Sequence, residues 1–385
     1  GRAAPGQRLR IAEKEVAFAP VAAATGEVLE TLAVAVTAGA SFLQRSEQLP
    51  EAPPAAADLH LRCGQAVQLL RLLERDVRFV VQDPSDRWVT WLDPAPRGAL
   101  RALGATPLEP GPLLRELWQG ADLAPVATSA TLSVAGDFGF MIGELGLGGR
   151  RPPTATELVP SPFAWPERTV ALAAEDLPDP DRPEFATAIT EILADLRRTV
   201  PRQTLALFTS YRLLQEVAAG LREEAAEPDL FGGEEGALLV QTPQAAPAEL
   251  RDRFARSRRG MLLGTSTFWE GVDFPGESLE IVVVTKLPFL VPSDPWVQAR
   301  CDHIRQAGDD PFADFMVRDA VLRLRQGVGR LLRRPEDRGV VLLLDNRLIT
   351  RRYGATFRSA LPAPVRWLPG RAELAAAARA FLDRD

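Results

Sequence analysis

Apolar positions along the chain fall into two textures. From Gly26 to about Gln48 they recur at helical spacing (Val28, Leu29, Leu32, Val36, Phe42, Leu43). A Pro/Ala stretch, Glu51 to Ala57, interrupts the pattern, and it resumes from about Asp58 to Arg75 through Leu59, Leu61, Val67, Leu70 and Leu73. Two short apolar runs follow, Val77–Val81 and Trp88–Trp91, separated by Pro-Ser-Asp; they predict two strands of a hairpin. Residues 1–24 show no clear period. The opening stretch therefore predicts a small, mainly helical lobe without catalytic residues.

From about Ala95 the texture changes. Leu113–Trp118 predicts a helix, Ala124–Ala127 a short strand and Phe138–Leu145 another helix, and Gly146 to Pro166 is a Gly/Pro-rich linker. Beyond it, strands are predicted at Thr169–Leu172, Thr204–Phe208, Ala237–Val240, Gly260–Leu263, Glu280–Val284 and Gly339–Leu344. Helices fill Glu184–Arg198, Tyr211–Arg222, Ala248–Arg256, Pro295–Gln306, Phe312–Arg333 and Ala372–Leu382. Continuous Val/Leu/Ile strands alternating with amphipathic helices predict an α/β fold, a parallel sheet covered on both faces.

Composition narrows the class. The chain has 385 residues, 46% apolar and 25% charged, which is room for two or three domains with proper cores. No apolar run approaches the length of a membrane helix, and no signal peptide opens the chain. Cys63 and Cys301 are too few for a disulfide framework, a four-cysteine zinc site or an iron–sulfur cluster, and His60, in an amphipathic helix, and His303, on a polar helix stretch, are expected to have no metal partner. Both cysteines are expected to be buried small hydrophobes. These features predict a cytoplasmic protein with no metal site and no membrane partner. Lysine occurs only at Lys14 and Lys286, and an arginine bias with so much Ala and Pro suggests a GC-rich bacterial genome. The chain opens on Gly1 rather than Met, which suggests a fragment or processed product.

The net charge of −6 hides an uneven distribution: Arg318 to Arg358 holds eleven arginines against Asp319, Glu336, Asp337 and Asp345. That basic stretch reads as an anion-binding surface or as a solvated, salt-bridged helix face. In the helix predicted to end at Arg333, Val317, Val321, Leu324, Val328 and Leu331 form one apolar face. Gln326, Arg330 and Arg333 share roughly the opposite stripe, with Arg323 one turn before, while Gly327 and Gly329 sit inside the helix, where each costs about 1 kcal/mol against alanine. Such glycines are tolerated where another backbone or a ligand comes close. Arginine is the fitting donor for phosphate oxygens, because its guanidinium is planar and always charged.

Four further segments accompany that helix in order. Thr128-Ser129-Ala130-Thr131-Leu132 and Leu207-Phe208-Thr209-Ser210-Tyr211 each end a predicted strand. Gly264-Thr265-Ser266-Thr267-Phe268-Trp269-Glu270-Gly271-Val272-Asp273-Phe274 follows a third, and Lys286-Leu287-Pro288-Phe289 precedes Gln326-Gly327-Val328-Gly329-Arg330-Leu331-Leu332-Arg333. From about Leu113 to Pro362 the chain resembles the superfamily 2 helicases of the DinG/XPD group, and the bacterial DinG-like members most closely; these segments look like that family's motifs III, IV, V and VI.

The resemblance implies a second RecA-like motor domain over residues 160–385. It also implies the carboxyl-terminal remainder of a first motor domain over 95–159 and a partial, arch-like helical insertion over 1–94. It assigns Ser129 and Thr131 to coupling the nucleotide cleft to DNA. Ser210, Tyr211, Thr265 and Ser266 would hold DNA phosphates at strand ends, and Trp269 would stack on a base or sit in the core. Glu270, Gly271 and Asp273 would face the nucleotide, with Asp273 toward the ribose. Gln326, Arg330 and Arg333 would be the catalytic motif VI residues, the two arginines at the γ-phosphate. Lys286 would meet DNA or serve structure, and Asp345, with Arg347, resembles a structural Asp-x-Arg of the family.

Other parts of such a motor are absent from the sequence. No Gly-Lys pair exists for a phosphate loop, since Lys14 follows Glu13 and Lys286 follows Thr285, and no Asp-Glu dipeptide exists for a magnesium-holding box. ATP and magnesium would then be bound mainly by an upstream half, where the family also carries an iron–sulfur cluster in some members. The resulting expectation is the carboxyl-terminal part of an ATP-dependent helicase moving 5′ to 3′ on single-stranded DNA in repair or replication, inactive on its own. The alternative is a non-catalytic DNA-binding or regulatory module derived from one. A different phosphotransferase would need the missing phosphate loop.

Overall fold

The computed structural model describes residues 8–10, 19–47, 56–82, 86–94, 100–121, 123–134, 136–149, 154–161, 163–224, 231, 236–269, 279–332, 334 and 337–384. In chain order it begins with β1 (Leu9–Arg10), α1 (Ala19–Glu47), α2 (Ala56–Gln82), β2 (Trp88–Pro94), β3 (Leu100–Pro107) and α3 (Pro110–Gly120). Short helices α4 (Gly139–Glu144) and α5 (Trp165–Arg168) precede β4 (Thr169–Ala174), α6 (Glu184–Thr199), β5 (Thr204–Leu207), α7 (Tyr211–Glu224) and β6 (Leu238–Val240). Next come α8 (Pro247–Arg256), β7 (Met261–Gly264), α9 (Ser266–Trp269), β8 (Ile281–Val284) and α10 (Pro295–Gln306). A π-helical turn (Phe312–Val317) leads into α11 (Arg318–Val328), then β9 (Gly339–Leu343), α12 (Arg347–Thr350), α13 (Gly354–Ala360), β10 (Val365–Leu368) and α14 (Leu374–Leu382).

The chain divides into two compact units, Gly1–Leu117 with Val291–Asp309, and Trp118–Leu290 with Asp310–Asp385. In the first, α1 and α2 pack antiparallel, with Gly26 of α1 beside the Arg78 guanidinium of α2. The run Val77–Val81, expected as a strand, continues α2 instead. A short apolar run has no period of its own, and here helical packing decides: Val80 is buried and Phe79 sets its ring edge-on to Trp88 at 5.0 Å. Trp88 opens the expected strand, but that strand pairs with β1 and β3. Trp91 lies opposite Gly104, where a Cβ would fall 2.5 Å from the indole. The sheet therefore needs glycine at this crossing.

Although α10 follows a strand of the second unit, it belongs to the first. Its Trp296 Nε1 donates to Pro107 O (2.8 Å), and Arg300 Nη1 reaches Glu109 Oε1 (2.7 Å) and Leu108 O (3.3 Å). Cys63 and Cys301 are half-exposed rather than buried, and partial burial pushes the Cys301 thiol pKa up. His303 lies 3.6 Å from Glu109.

The second unit is built on a seven-stranded sheet in the order β10-β4-β9-β8-β5-β7-β6, every pair parallel. Because side chains alternate along a strand, each strand feeds two cores. Leu172, Ala206, Val283 and Leu342 face α6, α7 and α14, while Ala171, Leu207, Val284 and Leu343 face α8, α9, α11 and α13. The predicted parallel sheet with helices on both faces is present. Ala124–Ala127, expected as a strand, is not one; β10, α12 and α13 were not predicted.

Glu280, just before β8, is mostly buried 3.4 Å from Arg202, and burial pushes its carboxyl pKa up. A raised folded pKa means that the ionised form costs stability above that pKa, and that the penalty disappears as pH falls below the unfolded value near 4.3. Glu280→Gln is expected to raise Tm at neutral pH, with the difference from wild type closing toward pH 4. A Tm lowered equally at both pH values would show that the Arg202 pair dominates instead.

Candidate nucleotide and nucleic-acid site at the carboxyl ends of the strands

Parallel strands all end at one edge, and in open α/β sheets ligands bind there. After β5, Ser210 is exposed and its Oγ accepts the Leu213 N–H (3.3 Å), capping α7, with Tyr211 beside it 37% exposed. Four N–H groups of a helix start have no partner within the helix, so this end offers donors to an anion. After β7, Thr265 is turned inward: its N–H and hydroxyl both donate to Gln241 Oε1 (2.7 and 3.1 Å), and it is 3% exposed. Thr265 thus shapes the strand end rather than offering a hydroxyl to a phosphate, which corrects the expectation from its position. Ser266 opens α9, and its side chain lies outside the described residues. Gln241, the buried polar residue after β6, was not singled out by the sequence reading; its only signal was a glutamine directly ending an apolar run.

Lys286, after β8, donates to Pro180 O (2.5 Å) and stands 4.9 Å over the Phe185 ring, and burial lowers its pKa. Asp345, after β9, is 1% exposed. It accepts from Leu287 N (2.8 Å), Arg347 N (3.0 Å) and Arg347 Nη2 (2.6 Å), the structural pairing expected of it.

The apolar face of α11 packs in the core as predicted. The helix ends earlier than expected, at Val328, where the Gly329 N–H closes the last turn on Arg325 O (2.8 Å). Arg330 therefore lies in the turn beyond the helix, and its Nη2 donates to the carbonyl of Trp269 (2.8 Å). Trp269 is 3% exposed, and its Nε1 donates to Phe208 O (3.0 Å). A Cβ on Gly327 would lie 3.0 Å from its ring, so the glycine admits the indole against α11. Trp269 is a core residue here, and the base-stacking expectation does not hold in this conformation.

The loop carrying Ser129 and Thr131 docks on α11. Ser129 Oγ and Thr131 Oγ1 share a hydrogen bond (3.0 Å), and Gln326 Nε2 reaches Thr131 Oγ1 (3.4 Å). Arg325, which the sequence reading passed over, donates to Ser133 O (2.5 Å) and Ala130 O (2.9 Å). Much of the basic stretch is likewise engaged inside the fold. Arg323 pairs with Asp319 (2.6 Å), Arg318 with Asp137 (3.4 Å), and Arg358 holds Leu348 O, while Arg351 and Arg352 are exposed. Glu270, Gly271, Asp273 and Arg333 lie outside the described residues.

Among the described residues no three His, Cys, Asp or Glu side chains come together as metal ligands, and Asp345 is occupied by Arg347 and Leu287. The described residues do not fit a magnesium site.

Residues 193–364, which carry Ser210, Gln326 and Arg330, match the helicase C-terminal domain family. The chain is 36% identical over 283 residues to the 3′-5′ exonuclease DinG of Bacillus subtilis (strain 168), covering 72% of this chain and 30% of that protein. The chain belongs to the DinG-like helicase family. The ATP-dependent DNA helicase YoaA of Escherichia coli (strain K12) is 35% identical over 260 residues, covering 68% of this chain and 39% of that one. The ATP-dependent helicase DinG of Mycobacterium tuberculosis (strain ATCC 25618 / H37Rv) is 36% identical over 239 residues, covering 62% and 34%. The DinG-like chain thus spans well under half the length of these relatives. A solved XPD helicase shares its fold, with a TM-score of 0.54 over 83% of this chain and 57% of that one at 13% identity. The seven-stranded sheet is RecA-like.

Proposed function

We propose that this DinG-like chain is the part of an ATP-dependent DNA helicase that holds single-stranded DNA and supplies arginine to the nucleotide. In this reading residues 160–385 are the second motor domain, 95–159 the remainder of the first, and 1–94 an arch-like insertion. The observation that carries it is the convergence on α11. Gln326 touches the Ser129–Thr131 loop, and Arg330 is held by the backbone that opens the Glu270–Asp273 segment.

The chemistry is phosphoryl transfer from ATP to water. Arg330 and Arg333 neutralise charge that builds on the γ-phosphate as the bond to the leaving group lengthens. Arg330 suits the task because its planar guanidinium, anchored through Nη2 to the Trp269 carbonyl, is already held in place and loses little entropy on meeting a phosphate. Ser210, Tyr211 and the first N–H groups of α7 hold a DNA phosphate, and the exposed Tyr211 ring offers a stacking face. Movement is 5′ to 3′. Without a Gly-Lys phosphate loop this chain by itself turns over no ATP.

Fluorescence anisotropy with a labelled single-stranded oligonucleotide over a salt series tests the DNA half. Wild type is expected to bind, with affinity falling steeply as salt rises, and the Ser210→Ala/Tyr211→Ala double variant to bind at least about tenfold more weakly. No wild-type binding at low salt, or equal binding by the double variant, sinks the assignment of DNA to this edge. Magnesium- and DNA-dependent ATP turnover by this chain alone would sink its dependence on an upstream half.

A further inference from the structure

Arg325 stands next to Gln326 in α11, yet it points its guanidinium at backbone rather than at a phosphate. Nη1 donates to Ser133 O (2.5 Å) and Nη2 to Ala130 O (2.9 Å), so one planar fork spans two carbonyls on either side of Thr131. Thr131, inside that bracket, and Ser133, whose carbonyl closes it, are 9% and 5% exposed, unusual burial for hydroxyl-bearing residues in a loop. Inside the loop, Ser129 Oγ accepts the Thr131 N–H (3.2 Å) and shares a hydrogen bond with Thr131 Oγ1 (3.0 Å). Gln326 Nε2 then meets that same Thr131 oxygen at 3.4 Å. Two turns earlier, Arg318 Nη1 reaches Asp137 Oδ2 (3.4 Å). Residues 123–133 lie in no strand, and sheet-like pairing begins only at the loop's far end, where Val134 and Asp137 exchange backbone hydrogen bonds (3.0 and 2.9 Å).

From this geometry we infer that Arg325 is a positioning residue of the motor, clamping the Ser129–Ser133 loop to α11 so that Thr131 follows Gln326 when the helix moves. The inference rests on the helicase reading above and assigns a part of it to a residue outside the motif VI set. The guanidinium suits the role because its parallel N–H donors match two carbonyls at once. Lysine carries the same charge as a single point and cannot hold both in one geometry. The bond between Gln326 and Thr131 is long and neutral, whereas the two from Arg325 are charge-assisted. The clamp therefore lies with Arg325, and Gln326 reads the loop's position.

Two measurements test this on separate grounds. In the 385-residue chain, hydrogen–deuterium exchange of the amides from Ala130 to Val134 is expected to speed up at least about tenfold in Arg325→Ala. A smaller acceleration is expected in Arg325→Lys, with exchange in β8 and β9 unchanged in both. In the complete polypeptide that carries this chain together with a phosphate-loop domain, Arg325→Ala is expected to lower DNA-stimulated kcat at least about tenfold. KM for ATP and the Kd for single-stranded DNA should stay within about twofold. Thr131→Val, which removes the oxygen that both Gln326 and Ser129 meet, is expected to lower kcat in the same way while loosening the loop less than Arg325→Ala does. Unchanged loop exchange in Arg325→Ala overturns the clamp, and so does full rescue by lysine. A rise in KM or Kd that parallels the fall in kcat overturns the positioning role. Absence of DNA-stimulated turnover in the wild-type polypeptide would instead overturn the helicase reading, with the exchange result still deciding the clamp.

Discussion

Arg330→Ala in a complete motor is expected to lower kcat for ATP by about a thousandfold or more, the range seen when an arginine is withdrawn from a phosphoryl-transfer site. DNA affinity should stay within about threefold, because the residue lies at the turn after α11 and not at the start of α7. The side chain also serves the fold: Nη2 holds the Trp269 carbonyl at 2.8 Å. That bond is charge-assisted, so its loss is expected to destabilise the fold by about 1.5–3 kcal/mol. Activity and stability must therefore be measured together, by steady-state kinetics and by urea unfolding. Arg330→Lys separates the two roles. It keeps a charge and can still donate to the carbonyl, so most of the stability should return, while kcat remains low because donors on a single nitrogen cannot span the carbonyl and a phosphate in the fixed geometry of the guanidinium fork. A lysine variant with wild-type kcat would show that Arg330 serves only the fold.

The second large effect is on stability. Trp269→Ala is expected to cost about 3–5 kcal/mol in urea unfolding, a large part of the stability of an ordinary domain. The ring is enclosed between β5 and α11: its Nε1 bonds Phe208 O, and Gly327 leaves it the space of a missing Cβ. Trp269→Phe keeps most of the apolar volume and loses the hydrogen bond, for an expected loss of about 1–3 kcal/mol. Its affinity for single-stranded DNA should equal that of wild type, since the indole faces the core. A Trp269→Phe protein that folds normally but binds DNA tenfold more weakly would show that the ring leaves the core to meet a base. Gly327→Val should behave like Trp269→Ala, because its side chain would enter the space that the indole fills.

Several elements were legible because they are local. The strands Thr169–Ala174, Thr204–Leu207, Ile281–Val284 and Gly339–Leu343 are continuous apolar runs, and a run apolar at every position is what burial on both faces of a parallel sheet requires. The apolar stripe of α11 follows from helical periodicity alone. The family was legible because the short segments around Thr131, Ser210, Trp269 and Arg330 occur in one order, which homologous motors share. The reading went astray where the deciding contacts are distant in sequence. Val77–Val81 has the composition of a strand, and only packing against α1 and Trp88 keeps it helical. The short β10, Val365–Leu368, becomes a strand only through pairing with β4.

The same division runs through the candidate site. Residue types and spacing alone determined that Gln326 and Arg330 stand four residues apart behind an apolar helix face, that the sequence holds no Gly-Lys pair for a phosphate loop, and that a strand end precedes each of Ser210 and Thr265. Tertiary structure alone decided which polar groups are available. Thr265 and Trp269 turn inward because Gln241 and the Phe208 carbonyl, both distant in sequence, satisfy them there. Arg325, Arg330 and Arg323, alike in a sequence, part company in the fold: the first clamps a loop, the second holds the Trp269 carbonyl, and the third pairs with Asp319. Sequence carries a side chain's charge and its spacing along the helix. The direction it faces, and therefore which carbonyl or carboxylate it meets, is set by elements that lie far away in sequence and become neighbours only when the sheet has closed its cores.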